Sequence, residues 1–178
     1  QDNVDIAFIG KYVTHLDSYE SLKEALIHGG IANQLKVNLH YIDSELLTPE
    51  NAFEKLENMD GVLVAPGFGE RGMEGKISAI QIARTGKIPF FGICLGMQMA
   101  IIEFARNVLG IEEANSGESR PDHKGNVIDL MPEQKGHQET GGTMRLGSQI
   151  TVLKNGSRIA MMYNKTTISE RHRHRYEV

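Results

Sequence analysis

Short apolar blocks alternate with amphipathic stretches along the first 110 residues, and most blocks run into glycine. Val4 to Ile9 is one such block, closed by Gly10, and it predicts a buried strand that delivers Lys11 and Tyr12 onto a loop. Asp17 followed three residues later by Glu20 has the spacing of a capping box, and Leu22, Ala25, Leu26 and Gly29 place one apolar stripe on the helix it would start. Lys36 to Asp43 alternates as a second strand, Glu50 to Leu56 predicts a short helix, and Gly61 to Ala65 a third strand. Ile77 to Ala83 gives a return helix. Ile88, Phe90, Phe91 and Ile93 then read as a buried fourth strand, and Leu95, Met99, Ile102 and Val108, with Ala100 and Ala105, as a helix closed by Gly110. Strands alternating with helices predict an α/β domain whose parallel sheet is flanked by crossover helices.

After Gly110 the texture becomes polar and glycine-containing, with shorter strands expected at Val127 to Met131 and Gln149 to Leu153. The final stretch, Glu170 to Val178, alternates. A strand there sends Arg171, Arg173 and Arg175 to one face and His172, His174 and Tyr176 to the other. Three roles compete for it: a solvated strand, a histidine metal site without carboxylate or thiolate ligands by motif, and an arginine that grips a substrate carboxylate. The last is preferred.

Composition changes the picture mainly by exclusion. With 178 residues and 40% hydrophobic content, the chain is long enough for one α/β domain with a real core. Nineteen Lys and Arg against 23 Asp and Glu give a net charge of −4, which is no electrostatic footprint for nucleic acid or an anionic membrane. One cysteine cannot form an internal disulfide, and no signal peptide or long apolar run is present, so a cytoplasmic enzyme is expected.

That cysteine, Cys94, falls at the junction between the fourth strand and the following helix, within Gly92-Ile93-Cys94-Leu95-Gly96. A helix N-terminus offers unpaired N–H groups and positive potential, which favour thiolate over thiol and pre-activate a nucleophile. Gly92 and Gly96 lack Cβ atoms and so permit a sharp turn with another backbone close by, the cysteine counterpart of a Gly-x-Ser-x-Gly elbow. A buried, inert cysteine is the bland alternative, and the paired glycines weigh against it. The third strand opens into Pro66-Gly67-Phe68-Gly69-Glu70-Arg71-Gly72, a glycine-rich loop at the same sheet edge. No Gly-Lys-Ser/Thr follows as in a P-loop, so beside a cysteine elbow this loop reads better as an oxyanion hole than as a nucleotide cradle.

Together, Pro66 to Gly69, Gly92 to Gln98, Ala114-Asn115-Ser116, Gly141 to Gly147 and Arg171 to Val178 closely resemble the glutamine amidotransferase domain of the CTP synthase family, over nearly the whole chain. The cysteine elbow alone would indicate only the wider class I triad amidotransferases. The resemblance implies a flavodoxin-like three-layer fold and hydrolysis of the L-glutamine side-chain amide to glutamate and ammonia. It implies no cofactor in this domain. In the family a synthetase domain of the same polypeptide uses ATP and magnesium to activate UTP for amination to CTP, GTP is an allosteric activator, and the full-length protein is a homotetramer. That synthetase domain is expected before Gln1. Residue by residue, the resemblance makes Cys94 the nucleophile and Gly67 and Leu95 the oxyanion donors; Leu95, Gly96, Met97 and Gln98 line the glutamine pocket. Glu118 and Arg175 fall at the remaining glutamine contacts, for the α-ammonium and the α-carboxylate.

Three departures from the family pattern stand out. Members commonly read Asn-Ser-Thr-Glu-Phe where this chain has Asn115-Ser116-Gly117-Glu118-Ser119, which keeps the glutamate on smaller, more flexible flanks. Some have Pro-Gly-Gly-Phe-Gly where this chain has Ala65-Pro66-Gly67-Phe68-Gly69. The family's catalytic His and Glu come from a His-Pro-Glu motif well after the Arg-His-Arg-His-Arg-Tyr-Glu segment, and the sequence contains no such motif, so the triad's end is expected beyond Val178. His137-Gln138-Glu139 has the spacing but not the family position, and His15, His28, His40 and His123 read as surface or helix-face residues. A glutaminase module is therefore preferred. The rivals are a module of the same fold that binds glutamine or partners without turnover, and a cysteine hydrolase or redox-sensing relative sharing only the elbow.

Overall fold

The computed structural model describes residues 2–11, 13, 16–134 and 144–178. These fall into two compact units, Gln1–Ile128 with Val178, and Asp129–Glu177.

The first unit is built on strands β1 (Asp2–Gly10), β2 (Leu35–Asp43), β3 (Gly61–Val64) and β4 (Phe90–Gly92), all parallel in the order β2-β1-β3-β4. Helices α1 (Glu20–Ala32), α2 (Ala52–Leu56) and α3 (Met73–Gly86) are the crossovers, and α4 (Leu95–Asn107) follows the last strand. The expected alternation is therefore present. Phe8, Ile9 and Val62 to Ala65 are buried, as required of central strands covered on both faces. Phe8 meets Tyr19 edge-on at 5.0 Å between ring centres and Tyr41 at 5.2 Å.

Register is what positions the site. Ile9 pairs with Val64 and Val64 with Gly92, so β1, β3 and β4 end level. Ala65 N–H donates to the Ile9 carbonyl (2.9 Å) and Ile93 N–H to the Val64 carbonyl (3.1 Å), which carries the ladder one residue past each strand. Lys11, the Pro66–Gly67 loop and Cys94 consequently emerge side by side at one sheet edge, where α/β folds place their chemistry.

Three local expectations change. Asp17 lies in a 3₁₀ turn, Leu16–Tyr19, and α1 begins at Glu20 with no side-chain cap, so the capping box does not form. Leu22 and Leu26 pack on the core as expected, but Ala25 and Gly29 are exposed and Gly30 is the buried glycine, against Val37. Phe90 and Phe91 are exposed, at 37% and 58%, because β4 is an edge strand among the described residues and not a buried one.

Past α4, β5 (Asn115–Ser116) and β6 (Asn126–Ile128) form a small parallel pair. Arg84 of α3 grips Glu103 of α4 bidentately at 2.8–3.0 Å; Glu103 is 1% exposed, so the ion pair joins the two helices from inside.

In the second unit, β7 (Arg145–Val152) and β8 (Thr167–His174) pair antiparallel, with the six-residue α5 (Arg158–Tyr163) between them. The sequence pattern did not announce α5, whose visible signal is the N-cap Ser157, accepting from Ala160 N–H at 3.2 Å. Arg171 and Arg173 are exposed and His172 and His174 partly buried, on opposite faces as the alternation predicts, but Arg175 lies beyond the strand end and is half-buried. Among the described residues no group of three or more metal-ligating side chains converges. None of their helices is long and apolar enough to cross a membrane.

Candidate active site

Cys94 adopts φ 53° and ψ −110°, a conformation that L residues rarely hold, costing on the order of 1–3 kcal/mol. The flanking glycines are needed for space. A Cβ on Gly92 would stand 2.6 Å from the Gly96 carbonyl carbon, and one on Gly96 would collide with the Val64 carbonyl. Gly96 N–H donates to the Ile93 carbonyl (2.9 Å) and Gln98 N–H to the Cys94 carbonyl (3.1 Å), locking the turn into the first turn of α4.

The backbone N–H groups of Leu95 and Gly67 lie near the Cys94 sulfur and favour its ionised form. Burial nevertheless pushes the thiol above its ordinary value, Glu118 adds to the rise, and the two N–H groups and Lys76 only partly offset it. Desolvation thus outweighs the local donors and works against the pre-activation expected from the helix N-terminus.

The loop between β3 and α3 is held by charges on both sides. Lys11, 8% exposed, donates to the carbonyls of Phe68 (2.5 Å) and Gly69 (3.0 Å). Glu118 accepts from Gly69 N–H at 2.6 Å, and buried Lys76 donates to the Ala65 carbonyl at 3.2 Å. Burial lowers the Lys11 pKa, Glu118 opposing this, and lowers that of Lys76 to about 8. The small flanks of Glu118 are well fixed: Asn115 Oδ1 accepts from Ser116 N–H and Ser119 Oγ, each at 2.9 Å, and Gly117 N–H reaches the Ile128 carbonyl at 2.8 Å.

Cys94, Gly67, Leu95 and Glu118 are thereby brought together. Leu95, Gly96 and Gln98 are buried behind the elbow, whereas the Met97 side chain turns away into an outer apolar groove with Phe90 and Phe104. Arg175 belongs to the second unit, where its carbonyl accepts from Gln134 Nε2 at 3.0 Å. Tyr12, His15, His137, Glu139 and residues 141–143 lie outside the described residues. A cavity of about 310 Å³ between Arg71, Glu74, Ile77 and Arg120 does not include Cys94. Lys76 was missed by the sequence reading; the available signal was a lysine next to Ile77 on the stripe Met73, Ile77, Ile80 that α3 buries.

This is an elbow cysteine beside a glycine-containing loop on a parallel α/β sheet. The class-I glutamine amidotransferase pattern matches residues 14–178, and the chain belongs to that family. Among its curated relatives are CTP synthases. That of Maridesulfovibrio salexigens is 55% identical over 183 aligned positions, covering 97% of this chain and 34% of that protein. That of Geobacter metallireducens is 57% identical over 174, covering 98% and 32%. Among solved structures, the Trypanosoma brucei CTPS glutaminase domain with bound acivicin matches with a TM-score of 0.89 at 41% identity, covering 98% of this chain and 68% of that one. Within the family, the particular domain this chain resembles is the CTP synthase glutaminase domain. The chain spans about a third of the length of the curated relatives.

Proposed function

We propose that the chain hydrolyses L-glutamine through a Cys94 thioester, and that the ammonia serves amination of UTP to CTP in pyrimidine nucleotide biosynthesis. The carrying observation is the elbow: Cys94 is held at φ 53° between Gly92 and Gly96, which have no room for a Cβ, with the Leu95 and Gly67 N–H groups beside it as oxyanion donors. Attack of sulfur on the amide carbon forms the C–S bond and places negative charge on the amide oxygen, which those donors stabilise by roughly 3–4 kcal/mol each in comparable hydrolases. Collapse of the intermediate expels ammonia once the nitrogen is protonated, and water then cleaves the thioester to glutamate. Because burial favours the neutral thiol, attack requires a base to remove its proton.

Glu118 is the counter-charge for the substrate ammonium and Arg175 the fork for its carboxylate, with Leu95, Gly96 and Gln98 completing the pocket and Met97, whose side chain faces the outer groove, contributing only its backbone. ATP, magnesium, GTP activation, a synthetase domain, tetramer assembly and a cytoplasmic setting belong to the same reading of the whole protein. The relatives and the acivicin-bound neighbour support it over a binding-only module.

Calorimetry with L-glutamine on Cys94→Ser tests the pocket. One-to-one binding is expected, weakened roughly 10- to 100-fold by adding Glu118→Gln, the worth of a charge-assisted contact. Absence of binding, or binding indifferent to Glu118, would contradict it.

A further inference from the structure

Lys76 is fully buried, at 0% exposure, on a helix face otherwise lined by Met73, Ile77 and Ile80. Ammonium groups are rarely placed there without a carboxylate partner. Among the described residues its one hydrogen-bond acceptor is the Ala65 carbonyl, which leaves two of its three N–H donors uncommitted. Its Nζ stands 3.7 Å from where a Cβ on Gly67 would be, so it lies beneath the peptide whose N–H is near Cys94. The charges it senses are Lys11 from the end of β1, Cys94 from the elbow and Glu118 from the loop after β5. Of the two anion-forming groups, Glu118 is already engaged by Gly69 N–H.

Resting on the reading of Cys94 as the nucleophile, we infer that Lys76 is a positioning residue: its buried ammonium holds the Ala65–Gly67 backbone in place and favours the ionised form of Cys94. The pair is mutually reinforcing, since the thiolate raises the Lys76 pKa and the ammonium lowers that of Cys94. The device operates while Lys76 is protonated, below about pH 8, and fades above it.

The test is the pH dependence of Cys94 alkylation by iodoacetamide in the parent and Lys76→Met, a reaction that needs no glutamine and so stands or falls apart from the glutaminase assignment. In Lys76→Met the rate at pH 7.5, where Lys76 carries its charge, should fall severalfold, and the two profiles should converge above pH 8, where that charge is lost. Loss of fold is not expected. Lys76 has its pKa lowered on folding, so its charge destabilises the native state below about pH 8, and that penalty is relieved as pH rises toward 10.5. Equal alkylation rates at pH 7.5 in Lys76→Met and the parent, with the fold of the variant verified by circular dichroism, would overturn the inference.

Discussion

At the scale of the residue, the chemistry depends on a backbone conformation that cysteine adopts only under constraint. Cys94 at φ 53° is held by the hydrogen bonds of Ile93, Gly96 and Gln98, and the fold stores that strain where the sulfur must project. Cys94→Gly is therefore expected to be more stable than Cys94→Ala by about 1–2 kcal/mol, because glycine alone accepts this conformation without a Cβ conflict. Equal urea midpoints for the two variants would show the elbow to be unstrained. The role of the flanking glycines was legible in the sequence, since their spacing around one cysteine has a single steric purpose. The ionisation of Cys94 was not. A helix N-terminus argues for thiolate, but the opposing desolvation depends on how deeply the turn is packed, which no local pattern encodes.

At the scale of the element, α3 and α4 carry the two halves of the site, the loop before one and the elbow before the other. Their relative placement rests on the buried Glu103, gripped by Arg84 and also accepting from Asn107 Nδ2 at 3.1 Å. Arg84→Met leaves that carboxylate without its cation, and a loss of about 2–3 kcal/mol is expected, at the low end for a buried pair because Arg84 is partly exposed. Chemical denaturation measures it, and a change under 0.5 kcal/mol would show the pair to be dispensable, as for ordinary surface ion pairs. The strands and the major helices were readable from apolar blocks because their faces differ so sharply. The pairing of Arg84 with Glu103 was not, since it joins residues 19 apart on different helices. The exposure of β4 escaped for a related reason: an apolar run signals burial, whereas sheet order decides which strand is the edge.

At the scale of the whole molecule, one parallel register does most of the work. Because Ile9, Val64 and Gly92 lie level, three loops distant in sequence meet at Lys11, Gly67 and Cys94, and Glu118 is drawn in by a single bond to Gly69 N–H. The motif residues of that edge were recognisable one by one; Lys11 and Lys76 became interpretable only when the fold showed which carbonyls they hold. On the proposed function, this edge presents Cys94 to a bound glutamine, and intact-mass spectrometry after exposure to an electrophilic glutamine analogue is the direct test. One covalent equivalent is expected, blocked by excess L-glutamine and absent in Cys94→Ser. No adduct on a folded protein, or an adduct that survives Cys94→Ser, would contradict it.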